Sequence, residues 1–245
     1  MRHFFRTNPD GYVFKLFTPI HIAALVTLVL GLVFIFLLFK KGSKILKPLA
    51  KVLFVALLIE QFLLYFWYFF LMGFDPVQAL PLYSCRIAML SIILAVIIKS
   101  DSLLLFGGYL GFPGGILALI SPVLDSFSFP HLTNFTYFLG HLLLCWLCFI
   151  ILIEKTGTKT QLLKVLIYTI VFFIITYFVD INYGANYSYM LWAPVFTSQF
   201  AKLSHELYIF VLLSIYAIIL FLTHIGFKSL RNYLLKIKSN INIVF

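Results

Sequence analysis

The chain has 245 residues, of which 63% are hydrophobic and only 11% are charged, and its mean hydropathy is +1.07. These values exclude an ordinary soluble domain, and the formal net charge of +10 predicts contact with anionic lipid headgroups and not with nucleic acid. A bilayer accepts long apolar runs as helices or closed barrels, and the alternating short strands of a barrel are absent from the sequence. The sequence therefore predicts an all-α, polytopic membrane protein with a single transmembrane domain over residues 1–245.

Seven apolar segments are long enough to cross a membrane, which takes about 20 residues of helix. In chain order they cover residues 18–39, 52–72, 80–98, 102–121, 134–153, 162–180 and 204–227. The fourth, LLLFGGYLGFPGGILALISP, contains five glycines and Pro113. It predicts either a kinked or broken helix facing a wet cavity, or close helix packing through small residues.

Basic residues distribute unequally between the two sides of a seven-span bundle. Thirteen Lys and Arg residues, Lys238 among them, fall on one side, and four fall on the other: Arg2, Arg6, Lys15 and Lys202. Because cytoplasmic loops carry the excess of positive charge, this pattern places the N-terminus outside and the C-terminus in the cytoplasm. The sequence thus predicts a seven-transmembrane-helix bundle whose basic cytoplasmic face meets anionic headgroups.

Polar side chains that are costly in lipid collect near the outer ends of five spans. Cys85 lies about five residues, or roughly 8 Å, into the third span, and His141 about seven residues, or roughly 10 Å, into the fifth. His21 begins the first span, Asp180 ends the sixth and His205 begins the seventh. The shared depth predicts a polar site in the outer leaflet.

Glu60 and Arg86 are charges deeper within their spans. Arg86 is too deep to reach water easily, so we expect Glu60 or Asp180 to neutralise it. The pair can be purely structural or part of a site, and buried ion pairs are better evidence of specificity than of stability.

A metal site is not predicted, and neither is a cofactor. Cys145 and Cys148 stand at helical spacing, but the His-Glu-x-x-His signature of a helix-borne metal site is missing. Such cysteines usually behave as small apolar residues of the core. The three cysteines also give no disulfide framework.

Cys85 and His141 suit a nucleophile and its base. A thiol reacts as the thiolate, which a neighbouring cation such as Arg86 favours, and an imidazole at matching depth can take its proton. Asp180, Asn182 or Asn186 is a candidate to orient that imidazole. The alternative is that Cys85 is a packing residue only.

The motifs LPLYSC, GYLGFPGGILALISP, FTYFLGHLLL and NYGANYSYMLWAP, in this order, resemble the YwaF-like family of bacterial integral membrane proteins. That family is distantly similar to the transmembrane protein 164 family. The resemblance implies a multi-pass protein of the bacterial cytoplasmic membrane, and acyl transfer between phospholipids through Cys85 and His141. Relatives commonly carry a histidine where this chain has Tyr83, which bears on the strength of the activity.

We therefore expect a membrane-embedded acyltransferase, or a lipid acyl hydrolase, that acts on phospholipids at the outer leaflet through a thioester. Backbone amides near Asn186 and Tyr187 are candidate donors to the developing oxyanion. One alternative is a transporter or lipid-binding protein whose path is lined by Glu60, Arg86 and Asp180, which a broken fourth span favours. Another is a non-catalytic membrane scaffold.

Overall fold

The computed structural model describes residues 3–157 and 159–237, and this part of the chain contains helices and no strand. Of the basic residues counted above, Arg2 and Lys238 lie outside the described residues. The helices are α1 (Pro19–Lys41), α2 (Leu46–Phe66), α3 (Ser84–Ile98), α4 (Asp101–Ile120), α5 (Leu132–Lys155), α6 (Lys159–Tyr183), a short α7 (Thr197–Phe200) and α8 (His205–Ile237). A π-helical turn (Trp67–Leu71) extends α2, and a 3-10 turn (Tyr187–Tyr189) follows α6.

Six of these helices are long and apolar enough to cross a membrane, and together they make the protein a multi-pass membrane protein. The third predicted span differs, since α3 has 15 residues and begins at Ser84 instead of residue 80. Pro81 lacks a backbone N–H and disfavours helix at the residue before it. Tyr83, with φ −72° and ψ 137°, is still extended.

The two most enclosed helices are α4 and α5, and they form the centre of the bundle. α4 packs against α1, α3, α5, α6 and α8, while α5 packs against α1, α2, α3, α4 and α8. α6 and α8 both pack on α4 and have few close backbone contacts with each other. Side chains join the two helices, as where the rings of Phe173 and Tyr216 lie 4.6 Å apart, centroid to centroid.

The glycines of the fourth span serve close packing, and the helix is not broken at Pro113. A Cβ built on Gly107 would lie 2.8 Å from the Ala88 carbonyl oxygen of α3. On the α5 side, a Cβ on Gly111 would lie 2.8 Å from Cys148 Sγ. Of the two predicted readings of this segment, helix packing through small residues is confirmed and an interrupted helix is wrong.

We call the end of the bundle where α1, α3, α5 and α8 begin the outer end, after the predicted orientation. Here the segment before α1 is tied to the loop between α4 and α5. Arg6 donates to Asp10 at 2.8 Å and to the Ser128 carbonyl, and His131 Nε2 lies 2.9 Å from the Arg6 carbonyl oxygen. The Ser128 hydroxyl and amide also donate to Asp10, and these bonds hold the pKa of Asp10 well below its ordinary value.

Candidate functional site

Cys85 lies in the first turn of α3, at the outer end, and is partly exposed. Its thiol points at α4, where a Cβ on Gly114 would come within 3.1 Å of Sγ. Glycine at position 114 therefore provides the room that the thiol occupies. The adjacent Ser84 hydroxyl lies beside the same thiol and 3.5 Å from the Tyr216 hydroxyl of α8.

The N-terminus of α3 presents free backbone donors next to this thiol. The preceding residue, Tyr83, gives no side-chain cap, and the first amide of the turn with a helical partner is that of Ile87, which donates to the Tyr83 carbonyl at 3.0 Å. Within the described residues, the amides of Ser84, Cys85 and Arg86 have no acceptor. Such amides carry the positive end of the helix dipole, which stabilises an anion.

His141 lies on α5 and is oriented by its own helix. Its Nδ1 donates to the Tyr137 carbonyl at 2.6 Å, one turn earlier. We expected Asp180, Asn182 or Asn186 to do this, and none of them does. Because Nδ1 carries the proton, Nε2 is left as the acceptor, and it makes no hydrogen bond with the described part of the chain.

The Cys85 thiol and the backbone of His141 face neighbouring glycines of α4. Gly114 faces Cys85, and the next residue, Gly115, faces α5, where its Cβ would lie 3.5 Å from the His141 carbonyl oxygen and 2.6 Å from Cys145 Sγ. The two side chains are not hydrogen bonded to each other in the described structure. Both contacts fall on glycines of α4, where no side chain takes up space.

Tyrosines that the sequence reading did not single out surround this site. The Tyr137 ring lies 4.4 Å from the His141 ring, centroid to centroid, and its hydroxyl donates to the Ala118 carbonyl of α4. Tyr189 and Tyr216 are close enough to Cys85 to interact with it electrostatically. The sequence does contain a signal for these tyrosines, since a tyrosine hydroxyl inside an apolar span needs a polar partner and so marks a candidate site.

Arg86 has no carboxylate partner among the described residues, so the expected ion pair with Glu60 or Asp180 is wrong. Its guanidinium donates to the Gln78 carbonyl at 2.7 Å and to the Tyr68 hydroxyl at 2.8 Å. It also lies over the rings of Tyr68 and Tyr83, 5.0 Å and 5.2 Å from their centroids. Carbonyl, hydroxyl and π contacts replace the carboxylate.

Glu60 is buried on the α2 side of α5, apart from the Cys85 thiol. Its carboxylate accepts a hydrogen bond from the Gln61 amide at 2.8 Å. A Cβ on Gly140 would lie 3.0 Å from its carboxyl carbon, so α2 and α5 approach closely here. The Glu60 carboxyl group thus lies against the backbone of α5 at Gly140, the residue before His141.

Asp180 and its neighbours organise the loop after α6. Asp180 is fully buried and accepts from the Tyr187 amide at 2.8 Å. The Tyr187 hydroxyl donates to the Pro76 carbonyl, which joins this loop to the one before α3. The Asn186 side chain accepts from two following amides and donates to the Trp192 carbonyl, while Asn182 donates to the Phe178 carbonyl. These groups are therefore committed to the loop, and the Tyr187 amide is not free for an oxyanion.

The two remaining predicted histidines differ. His21 is buried with both ring nitrogens engaged: Nδ1 accepts from the Phe17 amide, and Nε2 donates to the Leu119 carbonyl at 2.8 Å. It joins the start of α1 to the end of α4. His205 stacks on Tyr177 and lines a cavity of about 250 Å³ at the outer end of α8. Neither histidine contacts Cys85.

Cys145 and Cys148 are completely buried, as predicted for core cysteines. Their thiols face Gly115 and Gly111 of α4. Within the described part of the chain, no group of three or more His, Cys, Asp or Glu side chains could hold a metal ion.

Apolar helices that bury costly polar groups at one end define a polytopic α-helical membrane protein. A family model described as the TMEM164 family matches residues 16–224, so the chain belongs to the TMEM164 family. The similarity to this family expected from the motifs is confirmed, and the YwaF-like label stays a prediction. No curated protein and no solved structure matches the chain.

Proposed function

We propose that the protein is a membrane acyltransferase that moves phospholipid acyl chains at the outer leaflet through a thioester on Cys85. One observation carries the proposal. The Cys85 thiol lies in the first turn of α3 with its unpaired amides and faces Gly114, while the backbone of His141, whose Nε2 has no hydrogen bond with the described residues, faces the adjacent Gly115. A nucleophile, anion-stabilising donors and a base are the groups that acyl transfer needs.

In the first half-reaction, His141 Nε2 takes the proton from Cys85 Sγ. The thiolate attacks the ester carbonyl carbon, and the resulting oxyanion accepts hydrogen bonds from the amides of Cys85 and Arg86. When the tetrahedral intermediate collapses, the C–O bond breaks, and the leaving lysophospholipid oxygen takes the proton back from His141. The products are a thioester on Cys85 and a lysophospholipid.

In the second half-reaction, a lipid hydroxyl or amine attacks the thioester while His141 accepts its proton. The C–S bond breaks, the thiolate leaves and is protonated by His141, and the acyl chain is carried by the acceptor. With water as the acceptor, the same steps give lipid hydrolysis. Because Cys85 and His141 are not hydrogen bonded at rest, the reaction requires the imidazole to move toward Sγ when lipid binds.

The lateral route that this proposal gives lipid to the thiol runs between α6 and α8. Tyr216 of α8, whose hydroxyl lies 3.5 Å from Ser84 Oγ, contacts Phe173 of α6 with ring centroids 4.6 Å apart. This aromatic pair stands between the lipid side and Cys85. Parting of α6 and α8 would then admit an acyl chain without passage through water.

The proposal includes seven crossings, with the extended residues 80–83 and the short α3 together making the third. The N-terminus is outside, the C-terminus is in the cytoplasm, and the membrane is the bacterial cytoplasmic membrane. The charge pattern supports this, since basic residues concentrate at the inner end, where they meet anionic headgroups. The transporter alternative loses its main support, because α4 is continuous through Pro113.

The test is to incubate the purified protein in nanodiscs with phospholipid carrying a radiolabelled acyl chain. We expect a protein-bound label that hydroxylamine releases, as a thioester requires. Cys85→Ser should abolish it, whereas Cys145→Ser and Cys148→Ser, matched changes at buried thiols, should keep it. Labelling that persists in Cys85→Ser would reject Cys85 as the nucleophile.

The role of His141 needs a separate measurement. His141→Gln should slow adduct formation by about 10²–10⁴-fold, the usual contribution of a general base. Raising the pH should restore part of the rate, because hydroxide then supplies the thiolate without the imidazole. A loss that is independent of pH, together with a lower unfolding temperature, would indicate that His141 acts through packing.

A further inference from the structure

A second cavity lies at the inner end of the bundle, far from Cys85. It occupies about 380 Å³ between α6 and α8 and is lined by leucines of residues 162–166 and by Phe221, Ile225, His224 and Lys228. The α6 wall is entirely apolar. Both polar lining residues belong to α8 and lie one helical turn apart, on one face.

Lys228 is an exposed cation that makes no ion pair with any described residue. Of the acidic side chains at this end, Asp101 is paired with Lys155 at 2.9 Å, and neither Asp101 nor Glu154 lines the cavity. The cavity therefore combines an apolar wall with a positive charge that no lining carboxylate balances.

His224 is nearly buried and held in place from inside the bundle. Its Nδ1 lies 2.7 Å from the hydroxyl of Tyr109, a fully buried residue of α4, and that hydroxyl is within reach of Thr156. The other ring nitrogen, Nε2, makes no hydrogen bond with the described part of the protein. It is the polar atom that the imidazole offers to the cavity.

The position of these groups along α8 matches the inner headgroup layer. Lys228 is 23 residues beyond His205, the first residue of the helix, and so about 35 Å from it at 1.5 Å per residue. The hydrocarbon core is about 30 Å thick. Lys228 thus reaches phosphate depth, and the leucines and Phe221 lie at acyl-chain depth.

We propose that this groove between α6 and α8 binds one anionic phospholipid of the inner leaflet. Lys228 and the His224 Nε2 hold the phosphate, and the first methylenes of an acyl chain lie along the leucines of residues 162–166 and Phe221. The apolar wall selects a lipid over a free phosphate ion, and the unbalanced charge selects an anionic headgroup over a zwitterionic one. The site is independent of the thiol chemistry at the outer end.

The test compares phosphatidylglycerol with phosphatidylcholine of the same chains, by native mass spectrometry of protein released from nanodiscs of each composition. We expect the wild type to retain one phosphatidylglycerol about tenfold more than phosphatidylcholine. Lys228→Gln should remove that preference. Lys236→Gln is the matched control, because Lys236 is an exposed lysine of the same helix that does not line the cavity.

A second variant tests the apolar wall. Ile225→Trp fills the groove and should lower retention of phosphatidylglycerol while Lys228 remains in place. Equal retention by Lys228→Gln and Lys236→Gln, or equal retention of the two lipids by the wild type, would overturn the site. Cys85→Ser should retain lipid normally, so failure of the thioester proposal leaves this result unaffected.

Discussion

α3 and α4 approach closely at Gly107, and enlarging this residue should separate the helix that carries Cys85 from the centre of the bundle. In Gly107→Ala, the new methyl would lie 2.7 Å from Ile92 Cγ1 and 2.8 Å from the Ala88 carbonyl oxygen. The Ile92 side chain can change its rotamer, but the Ala88 carbonyl belongs to the backbone of α3 and cannot move independently. Overpacking of this kind costs about 1–3 kcal/mol of unfolding free energy.

The measurement is thermal unfolding in detergent. For a domain of this size, each kcal/mol lowers the midpoint by about 2–4 °C, so Gly107→Ala should unfold well below the wild type. Gly226→Ala is the matched control, because a Cβ at that exposed position of α8 meets nothing within 4 Å. It should be neutral or stabilising by up to about 1 kcal/mol. Equal midpoints for the two variants would refute the close approach of α3 and α4.

Three further predictions concern the outer end. Because the folded pKa of Asp10 is depressed, its hydrogen bonds with Ser128 stabilise fully above the ordinary pKa of 3.8 and weaken as the pH falls below it. The protection factor of the Ser128 amide against hydrogen exchange, which corrects for the intrinsic pH dependence, should fall below about pH 4, and Asp10→Asn should remove that fall. Arg86→Lys cannot keep both of its hydrogen bonds and should cost about 1.5–3 kcal/mol in thermal unfolding, with Tyr68→Phe losing part of the same energy. Asp180→Ala frees a loop amide and should speed proteolysis between residues 184 and 203, whereas Asp180→Asn, which keeps an acceptor, should not.

Each of these has an outcome that contradicts it. A protection factor at Ser128 that stays constant from pH 6 to 3 would mean that the Asp10 contact is not formed. Additive costs in the combined Arg86→Lys, Tyr68→Phe variant would mean that the two residues do not interact. Equal proteolysis of the two Asp180 variants would show that the carboxylate oxygen does not hold the loop.

The helices were predictable because their signal is local. Six of the predicted spans correspond to helices long enough to cross a membrane, and apolar length alone determines them. The start of α3 was missed by four residues, because hydropathy continues through Pro81 while the backbone is still extended there. The sequence could not decide whether the α4 glycines serve close packing or interrupt the helix, since a segment rich in glycine with one proline is compatible with both.

The partners of buried charges were not predictable, because they depend on contacts between distant segments. Arg86 was expected to pair with Glu60 or Asp180. It instead donates to the Gln78 carbonyl and the Tyr68 hydroxyl, which are uncharged and therefore cannot be recognised as partners from the charges in the sequence. Depth along the spans gave the Cys85 and His141 pairing as a prediction, and it stays one. Depth could not show that α4 presents glycines to the Cys85 thiol and to the His141 backbone.

The close contacts along α4 also determine which parts of the protein can move. At Gly107 the backbones of α3 and α4 come too close to leave room for a Cβ, and thiols face Gly111 and Gly115, so α3, α4 and α5 form one closely packed unit. α6 and α8 pack on α4, have few close backbone contacts with each other, and are joined by the Phe173–Tyr216 ring pair. Motion should therefore concentrate in α6 and α8. The backbones that carry Cys85 and His141 then stay fixed in the packed unit of α3, α4 and α5, while α6 and α8 open and close toward lipid.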